Sequence, residues 1–288
     1  MLRTVTILAP AKINLFLQIL GKRPDGFHEI YSLMQAVDLY DSVTVSKTTS
    51  GITLTCSESH IPADSTNLTW RAAKLMFDKT GISGGVDINL IKRIPVGAGL
   101  GGGSSDAAAV MKAFNQLFEL ELPLAQLAEW SAELGSDIPF FFSSGSALVS
   151  GRGEIVAPED LFLGYFVLLI VPDYAISTKD AYQGLRIFLT NFSTKADINL
   201  KNLGADYFKT LDRVGNDFQA MVVQQHPEME VCMEVLRRGG AGYVALSGSG
   251  SAFYGLFERQ PDSELMTTVS SQFGWQVYSL SPVRLTQK

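Results

Sequence analysis

Pro95-Val-Gly-Ala-Gly-Leu-Gly-Gly-Gly-Ser-Ser105 lies between a β-like run, Val86–Ile94, and a stretch with helical spacing, Asp106–Phe118. Glycines at 97, 99, 101, 102 and 103 let the backbone approach a ligand closely and turn several N–H groups toward it. The helix expected next adds unpaired N–H donors and the positive end of its dipole, so the loop suits a phosphate. Ser104 or Ser105 offers a helix cap and a hydroxyl for phosphate or Mg²⁺, and Asp106 reads as a dipole-complementing cap at the helix start in preference to a residue near Mg²⁺. Gly97, Gly99 and Gly102 also satisfy GxGxxG. A dinucleotide site is disfavoured, because Pro95 stands at the strand exit and Glu119 and Glu121 follow a helix rather than a second strand. No lysine follows the glycines, so this is not a Walker loop.

Outward from the loop, the first half reads as short strands at Thr4–Leu8, Asn14–Leu20, Glu29–Asp38, Ser42–Lys47 and Ile52–Cys56, then a helix at Leu68–Lys79. A helix at Leu124–Leu134 leads into Gly-Ser-Asp-Ile-Pro, 135–139. The second half reads as strands at Tyr165–Val171, Tyr243–Leu246, Ala252–Phe257 and Gln276–Ser279. Helices are expected at Lys179–Phe188, Asp217–Gln224, Glu228–Arg238 and Ser263–Phe273. Strands and helices interleave without strict βαβ alternation, which predicts an α+β fold. Pro158 and its acidic neighbours interrupt the pattern, dividing the chain into domains 1–160 and 161–288.

Composition narrows the function. The 288 residues are 46% hydrophobic and carry 23 basic against 29 acidic side chains, a net charge of -6. An acidic chain with no basic stripe gains nothing from phosphate counterion release, so nucleic acid is excluded as the expected ligand. Cys56 and Cys232 stand far apart with no CxxC spacing, which points to a reducing, cytoplasmic compartment. Leu15–Leu20 is too short for a signal core and Tyr165–Val171 too short for a membrane span.

The loop resembles the ATP-binding motif of the GHMP family of small-molecule kinases. Pro10-Ala-Lys-Ile-Asn-Leu15 is similar to the family's first motif, Leu246-Ser-Gly-Ser-Gly-Ser251 to its C-terminal glycine motif, and Leu134-Gly-Ser-Asp-Ile-Pro139 to the segment with the catalytic aspartate. Gly21-Lys-Arg-Pro-Asp-Gly-Phe-His28 adds a likeness to those members that act on a cytidine diphosphate substrate in the non-mevalonate isoprenoid pathway. The matches run from residue 10 to about 257. The resemblance implies a two-domain architecture with the active site in the cleft between domains, ATP as phosphate donor and Mg²⁺ as its counterion.

Residue by residue, the resemblance implies Asp137 as the group that receives the hydroxyl proton and Lys12 as its partner in polarising the attacking hydroxyl. It implies ATP contacts along Pro95, Val96, Gly97, Ala98, Gly99, Leu100, Gly101, Gly102, Gly103, Ser104 and Ser105, with Asn67 and Lys92 near adenine. Phe27 and Tyr182 match the positions that sandwich the cytosine, His28 matches its edge contact, and Asn14, Thr178 and Asp137 complete the acceptor site. The first aromatic is commonly Tyr in the family; Phe27 keeps a stacking face and lacks the hydroxyl. No protein carboxylate is assigned to magnesium. Two other readings stand beside this one: another kinase of the family, of homoserine or mevalonate type, and a non-catalytic nucleotide-binding regulator. Lys12 and Asp137 together argue against the second, Phe27 and His28 against the first.

Overall fold

The computed structural model describes residues 3–161, 164–188, 192, 194–198 and 207–285. The chain opens with two long antiparallel strands, β1 (Thr4–Lys22) and β2 (His28–Thr48). The sequence suggests four pieces here. Pro10, with no N–H for a ladder, falls at a register shift opposite Tyr40, so the strand bends without ending. Asp41 reads as a break, yet its carboxylate turns inward and its Oδ1 accepts from the N–H groups of Arg93 (2.5 Å) and Ile94 (2.8 Å).

The length of β2 lets it serve two neighbours. Its far half pairs with β4 (Gly85–Ile91), which carries β3 (Gly51–Cys56) in parallel. Its near half pairs with β5 (Ser146–Ser150), which turns back into β6 (Ile155–Pro158). Helices α1 (Leu68–Thr80), α2 (Gly102–Leu117) and α3 (Leu124–Ser131) belong to this half. Val110, Met111 and Phe114 of α2 share a buried core with Val43, Val45, Val86 and Ile88 of the strands. A short 3₁₀ turn, Pro139–Phe142, follows Asp137.

The second half forms an antiparallel sheet of β7 (Phe166–Val171), β8 (Tyr243–Leu246), β9 (Phe253–Phe257) and β10 (Gln276–Leu280), in the order β10-β7-β9-β8. Helices α4 (Thr178–Phe188), α5 (Tyr207–Val214), α6 (Gln219–Gln225), α7 (Pro227–Arg238) and α8 (Ser263–Phe273) accompany it. The two sheets share an apolar core in which Ile13, Leu15 and Leu33 cluster with Val167, Leu169 and Leu256. Buried Tyr243 and Tyr254 donate their hydroxyls to the carbonyls of Leu15 (2.8 Å) and Asn14 (2.7 Å) across that core. Past β10 the chain returns to the first sheet, where Val283 N–H donates to Ala36 O and Leu285 N–H to Ser144 O. The result is α+β with two sheets. No helix among the described residues is long and apolar enough to cross a membrane.

Several boundaries differ from expectation. β4 ends at Ile91, because Lys92 and the next two residues leave the ladder to bond Asp41 and Ser57. Helix α2 begins at Gly102 rather than Asp106, with Gly101 at φ 70° as its N-cap. Strands β5 and β6 and helix α5 had no reading in the sequence. They are short, and β6 keeps most of its residues exposed, so no period of apolar residues marks it.

Candidate active site

Two glycine turns interlock where the halves meet. In the first, Gly97, Gly99 and Gly101 adopt φ of 71°, 78° and 70°, which side chains rarely tolerate. In the second, Ser247 Oγ donates to Gly99 O (3.0 Å) and Ala252 N–H donates to Ala98 O (3.1 Å). A Cβ on Gly99 would lie 2.2 Å from Ser247 O, so the turns touch backbone to backbone. Asn216 holds the second turn from below, giving its amide protons to Leu246 O (2.8 Å) and Gly248 O (2.9 Å).

Lys12 enters this junction from β1. Its N–H donates to Leu100 O (2.9 Å), which fixes the strand against the glycine loop. The side chain is 3% exposed, and its ammonium donates to Asn14 Oδ1 at 2.6 Å and stands 3.8 Å from Asp137 Oδ2. Asn14 passes the chain on to Ser32 Oγ (2.8 Å), which donates to Phe16 O (2.6 Å). Burial lowers the Lys12 pKa, with the Asp137 charge opposing the shift. Asp137 is 37% exposed in its side chain and faces the cleft.

Behind the loop sits a buried cluster. The Lys92 ammonium donates to both Asp41 and Asp106, the latter at 2.7 Å, and all three side chains are almost wholly buried. Burial works to lower the Lys92 pKa, but Asp106 and Asp41 reverse this and leave it raised. Burial pushes the Asp106 carboxyl up to about 7, with Lys92 opposing and Asp41 adding to the shift. Asp106 is therefore not the helix cap expected of it; it lies in the second turn of α2 and anchors that turn to β2. Neither Ser104 nor Ser105 caps the helix, since no side chain bonds at its N-cap. Ser105 Oγ and Asp106 Oδ1 are buried and find no hydrogen-bond partner among the described residues. Lys92 reaches the cleft wall, though its charge is spent on the two carboxylates. Asn67 caps α1, accepting from Thr69 N–H (2.9 Å) and donating to Pro62 O (2.8 Å).

The far end of the cleft is built from side chains. Phe27, at the mouth of the turn before β2, is 50% exposed. His28 stacks on Tyr182 of α4, with ring centroids 4.8 Å apart and an interplanar angle of 22°. Thr178 opens α4, and its hydroxyl lies 3.3 Å from Ser249 Oγ of the second glycine turn. One cleft of about 920 Å³ is lined by Lys12, Asn14, Phe27, His28, Asn67, Lys92, the loop from Pro95 to Ser104, Asp137, Thr178 and Tyr182. Of the residues anticipated, Ser105 alone is set behind the wall. Asp41 and Asn216 were not anticipated, whereas Ser247 falls in the C-terminal glycine motif named from the sequence. The first two act through contacts far along the chain that no local spacing announces.

The profile described as GHMP kinases N terminal domain matches residues 67–145, and that described as GHMP kinases C terminal matches residues 199–273. The chain belongs to the GHMP kinase family. A 4-diphosphocytidyl-2-C-methyl-D-erythritol kinase of Macrococcus caseolyticus is 40% identical over 88% of this chain and 92% of its own length. A crystal structure of 4-(cytidine 5'-diphospho)-2C-methyl-D-erythritol kinase aligns with a TM-score of 0.76 at 31% identity, covering 96% of this chain and 99% of that one. A homoserine kinase from Cytophaga hutchinsonii gives a TM-score of 0.77 at 20% identity, over 100% of this chain and 97% of its own. That last likeness speaks for the shared fold alone.

Proposed function

We propose that this chain transfers the γ-phosphoryl group of ATP to the 2-hydroxyl of 4-diphosphocytidyl-2-C-methyl-D-erythritol. The observation that carries the reading is the placement of Lys12 and Asp137. The pair stands in one continuous cleft, between a glycine loop suited to phosphates and an aromatic end suited to a base. Two of the relatives named above, the Macrococcus caseolyticus protein and the structure 31% identical to this chain, carry the name of a kinase of that substrate, and each likeness spans most of the chain.

In this reading the glycine loop and the N-terminus of α2 take the triphosphate. Lys12, held in place by Asn14 and with Asp137 favouring its charged form against burial, offers a positive charge beside the acceptor hydroxyl. Asp137 receives the proton as the acceptor oxygen bonds to the γ-phosphorus and the bond from that phosphorus to the β-bridging oxygen breaks, leaving ADP. Asp106 lines the cleft beside the loop, and its Oδ1, with no hydrogen-bond partner among the described residues, fits a hard cation or its water shell and would hold magnesium at the phosphate end. Magnesium would supply charge neutralisation on the phosphates. At the other end Phe27 and Tyr182 supply stacking faces and His28 a polar contact for the cytosine; Asn14 and Thr178 add polar groups between. Asn67 and Lys92 border the adenine side.

The test is ADP release by purified protein given Mg-ATP and, in separate reactions, the cytidine diphosphate alcohol, homoserine and mevalonate. Release is expected with the first alone. Comparable turnover of homoserine or mevalonate would overturn the assignment of the acceptor.

A further inference from the structure

The hairpin joining β5 to β6 turns through Gly151-Arg152-Gly153-Glu154, a segment to which neither the phosphate loop nor the catalytic pair assigns a task. Its geometry is closely specified. Gly151 has φ 71°, and a Cβ there would lie 2.7 Å from the Glu154 carboxylate, which accepts from Arg152 N–H at 2.7 Å. Gly153 has φ 123°, and a Cβ there would lie 3.4 Å from Asp137 Oδ1. Gly151 also bonds the start of β2, accepting from Ile30 N–H (2.8 Å) and donating to Glu29 Oε1 (3.1 Å). The turn thus touches the Asp137 loop on one side and the strand carrying His28 on the other.

Arg152 projects from this turn into the cleft. Its guanidinium carbon lies over the Phe27 ring, 5.1 Å from the centroid. The same side chain reaches Ala132 O at 3.4 Å and lies 4.0 Å from Glu154 Oε1. The guanidinium is therefore oriented by the protein before any ligand arrives. Phe27 is half exposed and has no hydroxyl with which to fix its own ring.

We propose that Arg152 is a positioning residue for the acceptor base: its guanidinium covers one face of Phe27 and holds the ring so that the other face stacks on the pyrimidine. This rests on the cytidine diphosphate reading above. A planar cation over an aromatic face is favourable, and a fixed ring loses less freedom when a base stacks on it.

The experiment is a double-mutant cycle with Arg152→Ala and Phe27→Ala, reading KM for the acceptor, KM for ATP and kcat. Binding of CDP to the wild-type protein is measured first by calorimetry. Arg152→Ala is expected to raise the acceptor KM about fivefold and leave kcat and the ATP KM within about twofold. On the Phe27→Ala background it should add almost nothing. Arg152→Lys should recover only part of the loss, because an ammonium cannot lie flat on the ring. An equal loss on both backgrounds would overturn the proposal, showing that Arg152 acts without Phe27. So would a fall in kcat with the acceptor KM unchanged, which would place its effect on Asp137 instead. Failure of wild-type protein to bind CDP would sink the acceptor reading itself, and is thereby distinguished from failure of this inference.

Discussion

The two ends of the cleft are made of different material. At the end proposed for the phosphates, the groups offered are main-chain N–H groups of a glycine loop, braced by a second glycine turn and by a buried cluster of Lys92, Asp41 and Asp106. At the end proposed for the acceptor, the groups offered are the side chains Phe27, His28, Tyr182 and Thr178, drawn from a turn, a strand end and a helix start. Backbone that must sit against backbone tolerates almost no substitution, whereas side chains on separate elements can be changed one at a time. The contrast teaches that damage at the first end should be collective, and at the second graded.

The sharpest test lies where the ends meet. Asp137→Asn keeps the shape and removes both the charge beside Lys12 and the ability to accept a proton. Under single-turnover conditions kcat should fall by roughly 10²–10⁴, with both substrates still bound. Lys12→Met should also be severe. The double variant should lose far less than the product of the single losses, because the residues act as a unit. Near-normal chemistry in Asp137→Asn, or fully multiplicative losses, would separate the pair and leave the cleft without its centre.

The phosphate end is tested by two glycines that differ in their surroundings. A Cβ at Gly103 would meet nothing nearer than Leu68 Cδ1 at 3.9 Å, while one at Gly99 would strike Ser247 O. Gly103→Val should therefore fold and place its methyl groups at the cleft wall where phosphate is expected. A rise in the ATP KM of at least about tenfold, worth about 1.4 kcal/mol, should appear with the acceptor KM unmoved. Gly99→Val should instead lose thermal stability, since it parts the two glycine turns. Unchanged ATP binding in a folded Gly103→Val protein would show that the phosphates lie elsewhere.

The same contrast explains what could be read from the sequence. Main-chain binding leaves a trace in spelling, because only glycine fits, and so the first glycine turn was legible from its residues, whereas the second turn and the pair Lys12 and Asp137 were picked out only through the resemblance to the family's motifs. The strand-helix setting of the loop was legible too, from the apolar stripe of α2. Lys92 illustrates the limit. Nothing local tells that its ammonium is consumed by Asp41 and Asp106, 51 and 14 residues away. For the same reason the Asp41 position looked like a strand break, although burial and two N–H donors make it a join. Arg152 gave no signal either, since its partner Phe27 belongs to a turn that meets it only after the hairpin closes.

The smallest effect is expected at His28, and it separates two ways an acceptor-end residue can act. His28 can bond the edge of a cytosine, and it also stacks on Tyr182 at 4.8 Å. His28→Ala removes both. Loss of one hydrogen bond to a neutral base edge costs about 0.5–1.5 kcal/mol, so the acceptor KM should rise roughly twofold to tenfold while the ATP KM stays put. His28→Phe preserves a ring against Tyr182 and deletes the polar edge. If the hydrogen bond is what counts, the Phe variant should be as impaired as the Ala variant. Recovery to wild-type KM in His28→Phe would mean that the imidazole serves to hold Tyr182 in place. Base recognition would then fall to Thr178 and the backbone around it. A parallel rise in both KM values would break the comparison altogether, because the two ends would no longer be separate.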